Sequence, residues 1–263
     1  MHFALPFLAL GLLGAVGIAS MIPTVGPTLD LVRRQPGMAE RSDAALTLLV
    51  LAQPMVLVLV GAALGAALAH RVGLTSITAS LARGEAIPHA PPAMVPLAMA
   101  LGFAAGALII GIDVLYKLQA EPGFREAAAN AAGVATPLSH RVTALLYGGV
   151  AEEVMLRYGV MTLLVWLGAW LAGNRFAETP GLVVWPAIVL SAVLFGLGHL
   201  PKAVTLGPLD AATVIRIVGL NAIGGLVYGW LYWRAGLEHA MLAHMATHVA
   251  FWTMTPLLLR LLA

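Results

Sequence analysis

An all-α, polytopic membrane bundle of about seven transmembrane helices around a polar core cavity is the fold class this sequence predicts, and three observations predict it. The 263 residues are 60% hydrophobic and only 10% charged, with a mean hydropathy of +0.93, whereas about a quarter of a soluble domain is charged. The apolar residues fall into long runs bounded by charge, Pro or Gly, each near the roughly 20 residues that a spanning helix needs. A few ionisable groups interrupt those runs, where a carboxylate costs about 3 kcal/mol or more unless it faces a partner or water.

The runs place spans near residues 3–22, 46–69, 94–116, 142–172, 183–200, 213–233 and 239–260. They use up the chain, so a single membrane domain over 1–263 is expected, with its chemistry within 140–255. The first run has small residues, Ile18-Ala19-Ser20, after it, but no Lys or Arg before it, and is expected to be a retained helix rather than a cleaved signal. The fourth run is longer than a bilayer requires and has charges at its middle, as a tilted or broken helix would. The fifth stops at Pro201, which puts His199 at a helix end. Between the spans, Ile87–Ala93 and Lys117–Ser139 are expected to connect, the second with a short interfacial amphipathic helix over Gly123–Asn130.

Basic residues set an orientation. Arg33, Arg34, Arg41, Lys117, Arg125, Arg141, Lys202, Arg216 and Arg260 collect on one side, and Arg71, Arg83, Arg175 and Arg234 on the other. Seven spans then give a cytoplasmic C-terminus and an outside N-terminus. The scattered cations make no patch, which argues against nucleic acid as a partner. Cys is absent, so thiol nucleophiles and thiolate metal centres are excluded.

The intramembrane polar residues converge on hydrolytic chemistry. Glu153 and Arg157 are four apart and stack on one helical face, while Glu152 points about a quarter turn away. Arg157 is therefore expected to pair with Glu153 and leave Glu152 to address a cavity. His199 follows Phe195 by one turn, and His244 and His248 share a face of the last span. His239 lies beside Glu238 at the start of that span and is expected to be interfacial. Asp113, Asn221 and Tyr228 are expected to be packing contacts without a role. A carboxylate and imidazoles can hold a zinc ion and its water, or Glu152 with His199 can deprotonate a water while His244 and His248 stabilise an oxyanion. Both routes stay open, with Glu153 and Arg157 orienting Glu152.

These three segments together resemble the CPBP family of intramembrane proteases, which includes the CAAX prenyl endopeptidases and bacterial proteins linked to bacteriocin processing. The family signature is E-E-x-x-x-R, F-x-x-x-H and H-x-x-x-N on separate helices; here it is Glu152-Glu153 to Arg157, Phe195 to His199, and His244 to His248. The resemblance implies endopeptidase activity at the membrane on a peptide or membrane-protein substrate, with Glu152 activating water beside His199 and His244 in the oxyanion site or as a ligand. If a metal is present, it implies Glu152, His199, His244 and His248 as the zinc ligands. The departure is His248 where Asn is usual, and an imidazole binds metal better than an amide.

Rival protease signatures are missing: no H-E-x-x-H, no G-x-S-x-G and no intramembrane aspartate pair beside Asp113. A transporter would use the same polar cluster for protons or cations, but no inverted repeat is found. A catalytically silent scaffold is the remaining alternative. The Ala- and Leu-rich, Cys-free composition suggests a multi-pass protein of a bacterial inner membrane.

Overall fold

The computed structural model describes residues 2–131, 133–173, 179–205, 207 and 209–262. Apolar runs that must satisfy every backbone N–H and C=O without water can do so only as helices or closed barrels. Helices are what form: α1 (Ala4–Ala19), α2 (Gly26–Arg33), α3 (Asp43–Leu68), α4 (Ile77–Arg83), α5 (Met94–Ala120), α6 (Phe124–Ala131), α7 (Leu138–Thr143), α8 (Thr162–Leu171), α9 (Gly181–Leu197), α10 (Leu200–Val204), α11 (Ala211–Ala235) and α12 (Leu237–Leu262). Two π-helical segments, Ala144–Glu152 and Val154–Met161, join α7 to α8, so that Leu138–Leu171 is one continuous helix of 34 residues.

Among the described residues six helical stretches are long and apolar enough to cross a membrane: Ala4–Thr24, Asp43–Arg71, Met94–Ala120, Leu138–Leu171, Gly181–Val204 and Ala211–Ala235. On that criterion six of the about seven expected spans are met. The seventh run does form a 26-residue helix, α12, but His239, His244 and His248 dilute its apolar character. Leu8, Leu12, Leu48, Val56, Leu108 and Leu182 point outward from the bundle, which suits a surface solvated by acyl chains rather than water. The chain is an integral, multi-pass membrane protein. Arg175, counted above in the charge bias, lies outside the described residues.

The fourth span is neither broken nor an ordinary α-helix. Its centre is π-helical, with a wider turn of i→i+5 hydrogen bonds, a conformation that is costly and concentrates at functional sites. Close crossings hold it against its neighbours. Gly61 of α3 and Gly159 meet so closely that a Cβ on Gly159 would lie 2.5 Å from the Gly61 Cα, and one on Gly61 would lie 2.7 Å from the Val154 carbonyl oxygen. Helices without side chains between them gain dispersion contact that lipid cannot supply. On the other side α12 packs along α5, and α11 packs between α9 and α12.

The interfacial helix expected over Gly123–Asn130 is present as α6. The short helices α2 and α4 were not foreseen. The N-terminus of α4 is held from far along the chain: the Glu238 carboxylate accepts hydrogen bonds from Ser76 Oγ at 2.7 Å and from the backbone N–H groups of Ile77 and Thr78 at 2.9 Å each. A carboxylate on exposed helical N–H groups satisfies donors that the helix cannot. His239, next to Glu238 at the start of α12, is buried against the protein at 5% exposure.

Candidate active site

The sequence supplies one charged pair, Glu153 and Arg157, in the π-helical stretch, and the fold turns it into a three-helix junction. Glu153 is fully buried and its Oε1 accepts from Arg157 Nη1 at 3.3 Å and from His244 Nδ1 at 2.9 Å. Arg157, also fully buried, donates from Nη2 to the Gly225 carbonyl of α11 at 3.0 Å. Its guanidinium carbon lies 5.0 Å from the Phe195 ring centre and 5.3 Å from that of Tyr228, within cation–π range. The pair expected between Glu153 and Arg157 therefore forms. The link from Glu153 to His244 is additional, and it ties α12 to the π-helical segment.

That link sets a tautomer. A carboxylate only accepts, so the Nδ1 of His244 carries the proton that points to Glu153, and in the neutral ring Nε2 keeps the lone pair. The Nε2 atom stands 3.9 Å from Glu152 Oε2. This separation is too long for a hydrogen bond and is the kind of gap that a water bridges. Glu152 is the less enclosed carboxylate, its side chain 15% exposed against 0% for Glu153.

His248 lies one turn after His244, and the two rings stack with centres 5.1 Å apart at 17°. Its Nε2 is buried without a hydrogen-bond partner. Gly148 makes room for it: a Cβ there would sit 2.6 Å from His248 Nε2 and 3.5 Å from His244 Nε2. Both Nε2 atoms thus face one bare stretch of backbone four residues before Glu152.

His199 occupies the turn between α9 and α10, as Pro201 predicts. Its Nδ1 is 2.8 Å from the Phe195 carbonyl oxygen, which accepts its proton and leaves Nε2 as the basic atom. Its ring stands edge-on to Phe195 at 4.8 Å, and the same phenyl ring meets His244 edge-on at 5.7 Å. Phe195 therefore spaces the two imidazoles. Among the described residues His199 makes no hydrogen bond or ion pair to Glu152.

Among the described residues no group of three or more His, Cys, Asp or Glu side chains is placed to hold a metal ion. Nδ1 of His199 and of His244 are committed to a carbonyl and a carboxylate, which leaves their Nε2 atoms as the available donors, and Glu152 Oε2 lies 3.9 Å from His244 Nε2.

At this junction polar groups pack closely around the partly exposed Glu152. A cavity of about 650 Å³ does lie between α5, α6, α11 and α12, lined by Asp113, Lys117, Phe124, Asn221 and Phe251 among others. The Phe251 ring separates it from His248, edge-on at 5.7 Å.

The sequence reading missed Tyr228. It stacks on His244 at 4.5 Å and 16° and is buried at 1% exposure. Its flanking glycines, Gly224, Gly225 and Gly229, were the available signal, since small residues mark the face along which helices close.

Comparison with known proteins gives one match. Residues 135–250 fit the family model described as type II CAAX prenyl endopeptidase Rce1-like. No curated protein and no solved structure matches the chain.

Proposed function

With residues 135–250 belonging to the CAAX-protease-like family of intramembrane proteases, we propose that this chain is an endopeptidase that hydrolyses a peptide bond of a membrane-associated substrate with a water activated by Glu152. The observation that supports the reading is the unequal pair of adjacent carboxylates. Glu153 Oε1 accepts from both Arg157 and His244, while Glu152 faces His244 Nε2 across a water-sized gap.

In this mechanism a water lies between Glu152 and the Nε2 lone pair of His244. Glu152 removes one proton, and the water oxygen bonds to the scissile carbonyl carbon as the C=O electron pair moves onto oxygen. His248 Nε2–H, which has no other partner, donates to that oxyanion. The proton on Glu152 then passes to the departing nitrogen as the C–N bond breaks, leaving an acid and an amine. His199 presents its basic Nε2 at the edge of the same site, on the far side of Phe195. Glu153 and Arg157 touch no reacting atom and keep His244 in the required tautomer. The whole chain acts as one membrane domain, placed in a bacterial inner membrane.

A positioned general base contributes about 10²–10⁴-fold. Glu152→Gln, which removes the base and keeps the shape, is expected to lower cleavage by that factor in purified protein without changing its thermal unfolding. Full proteolysis by Glu152→Gln would sink this assignment. About one zinc per chain by elemental analysis, lost in Glu152→Ala, would replace the metal-free route with a metal centre.

A further inference from the structure

His244 is the most connected ring in the site, and the hydrogen bond from Nδ1 to Glu153 does not by itself stop it from rotating about that axis. What fixes its plane is a column of rings. Tyr228 stacks on His244 at 4.5 Å and 16°, His244 on His248 at 5.1 Å and 17°, and His248 on Trp252 at 6.3 Å and 20°. Three of the four rings repeat every fourth residue of α12 and so share a helical face. Tyr228 comes from α11 and closes the column at its buried end, beneath the Arg157 guanidinium. At the other end the Arg141 guanidinium lies 5.7 Å from the Trp252 ring centre.

The terminal tyrosine is itself latched. Its hydroxyl donates to Thr247 Oγ1 at 2.7 Å, and Thr247 Oγ1 lies 2.8 Å from the Gly102 carbonyl of α5 and 3.1 Å from that of Ala243. Thr247 is buried at 2% exposure. Its single hydroxyl thus refers the Tyr228 ring on α11 to the backbone of α5 and to α12, next to the very histidine that Tyr228 covers. Buried hydroxyls are costly to leave without such partners, so the chain of two hydroxyls and a carbonyl is satisfied with the ring in this place.

We infer that Tyr228 is the positioning residue for His244, and that Thr247 is the latch that holds Tyr228 in stacking register. The inference rests on the endopeptidase reading only for its kinetic consequence. Tyr228 contacts no reacting atom; it restricts the His244 imidazole to the plane in which Nδ1 meets Glu153 and Nε2 meets Glu152.

The test uses full-length protein in detergent or nanodiscs, with histidine labelled by 15N, and the variants Tyr228→Leu, Tyr228→Phe and Thr247→Val. The first readout needs no substrate: the imidazole 15N shifts report which nitrogen of His244 carries the proton and whether it is hydrogen-bonded. Tyr228→Leu is expected to abolish the single Nδ1–H···Glu153 signature of His244, and Tyr228→Phe, which keeps the stack, to retain it. Thr247→Val is expected to broaden it. The second readout is cleavage of membrane-reconstituted peptide substrates. Tyr228→Leu is expected to lower kcat on the order of 10²-fold, the scale of a misplacement near 1 Å, with KM held within about twofold. Tyr228→Phe is expected to restore all but about fivefold, the equivalent of one net hydrogen bond.

If His244 keeps its signature and kcat its value in Tyr228→Leu, the positioning role is overturned while the peptidase reading stands. If wild-type protein cleaves nothing yet Tyr228→Leu loses the signature, the positioning role stands and the peptidase reading falls. Tyr228→Phe and Thr247→Val, both close in shape to wild type, keep the test decisive if Tyr228→Leu does not fold.

Discussion

Two carboxylates in this protein each hold two basic side chains, and they differ mainly in where they sit. At the core, Glu153 binds Arg157 and His244, with exposures of 0%, 0% and 5% for the three side chains. Near the end of α5, Asp113 binds Lys117 at 3.0 Å and also Arg216 of α11, with side chains 26%, 31% and 20% exposed. Both clusters join two helices by the same chemistry. In the outer one water and salt screen the charges, so the attraction barely exceeds the cost of ordering the side chains. In the inner one neither charge has any other solvent, so the cluster adds little as a whole but is expensive to break in half. The outer cluster is a tether, and the inner one imposes a single arrangement on the helices that carry it.

The comparison is broken most severely by Arg157→Met, which strands Glu153 in the core. It is expected to lower stability by about 3–5 kcal/mol, measured by unfolding in mixed detergent micelles. Removing both charges in Glu153→Leu/Arg157→Met is expected to recover most of that loss while leaving His244 without its acceptor and cleavage impaired. Recovery of activity along with stability would show that Glu153 does nothing beyond packing.

Gly102→Ala acts on the same cluster indirectly. The new Cβ would fall on the Ala243 carbonyl at the α5–α12 crossing, so the helices must part. Overpacking of this kind costs about 1–3 kcal/mol, and peptide cleavage is expected to fall with it, because Gly102 also carries the carbonyl that receives Thr247. The smallest effect is expected from Asp113→Asn, about 0–1 kcal/mol. Its effect should shrink further in high salt, and that of Arg157→Met should not, since screening reaches only the outer cluster. Equal salt dependence of the two variants would erase the distinction drawn between them.

How much of this was legible beforehand follows the same division. The long helices were visible as apolar runs because the bilayer demands length and hydrophobicity from each segment by itself. The Glu153–Arg157 pair was visible because residues four apart meet on any helical turn. Helix α4 was not, since seven residues carry no periodic signal and its N-terminus is held by Glu238, 160 residues or more away in sequence. The π-helical stretch was not either, because α and π turns differ in hydrogen-bond register rather than in composition. Tyr228 was assigned no role for a related reason: a tyrosine in a span looks the same whether it packs against lipid or lies flat on an imidazole.

The sequence by itself determined that this chain lives in a membrane, that it offers carboxylate and imidazole side chains on three separated segments, and that those segments follow the motif order of a protease family. Only the tertiary structure decided which of two neighbouring glutamates is consumed by its partners and which is left facing a gap. Adjacent helical residues point about 100° apart, so only one of the pair bonds to His244 of α12 and the other faces that ring across a gap. Which one does depends on where the glycine crossings at Gly61, Gly102 and Gly159 let the other helices come to rest. That is a property of the packed bundle, because no single helix contains both sides of those contacts.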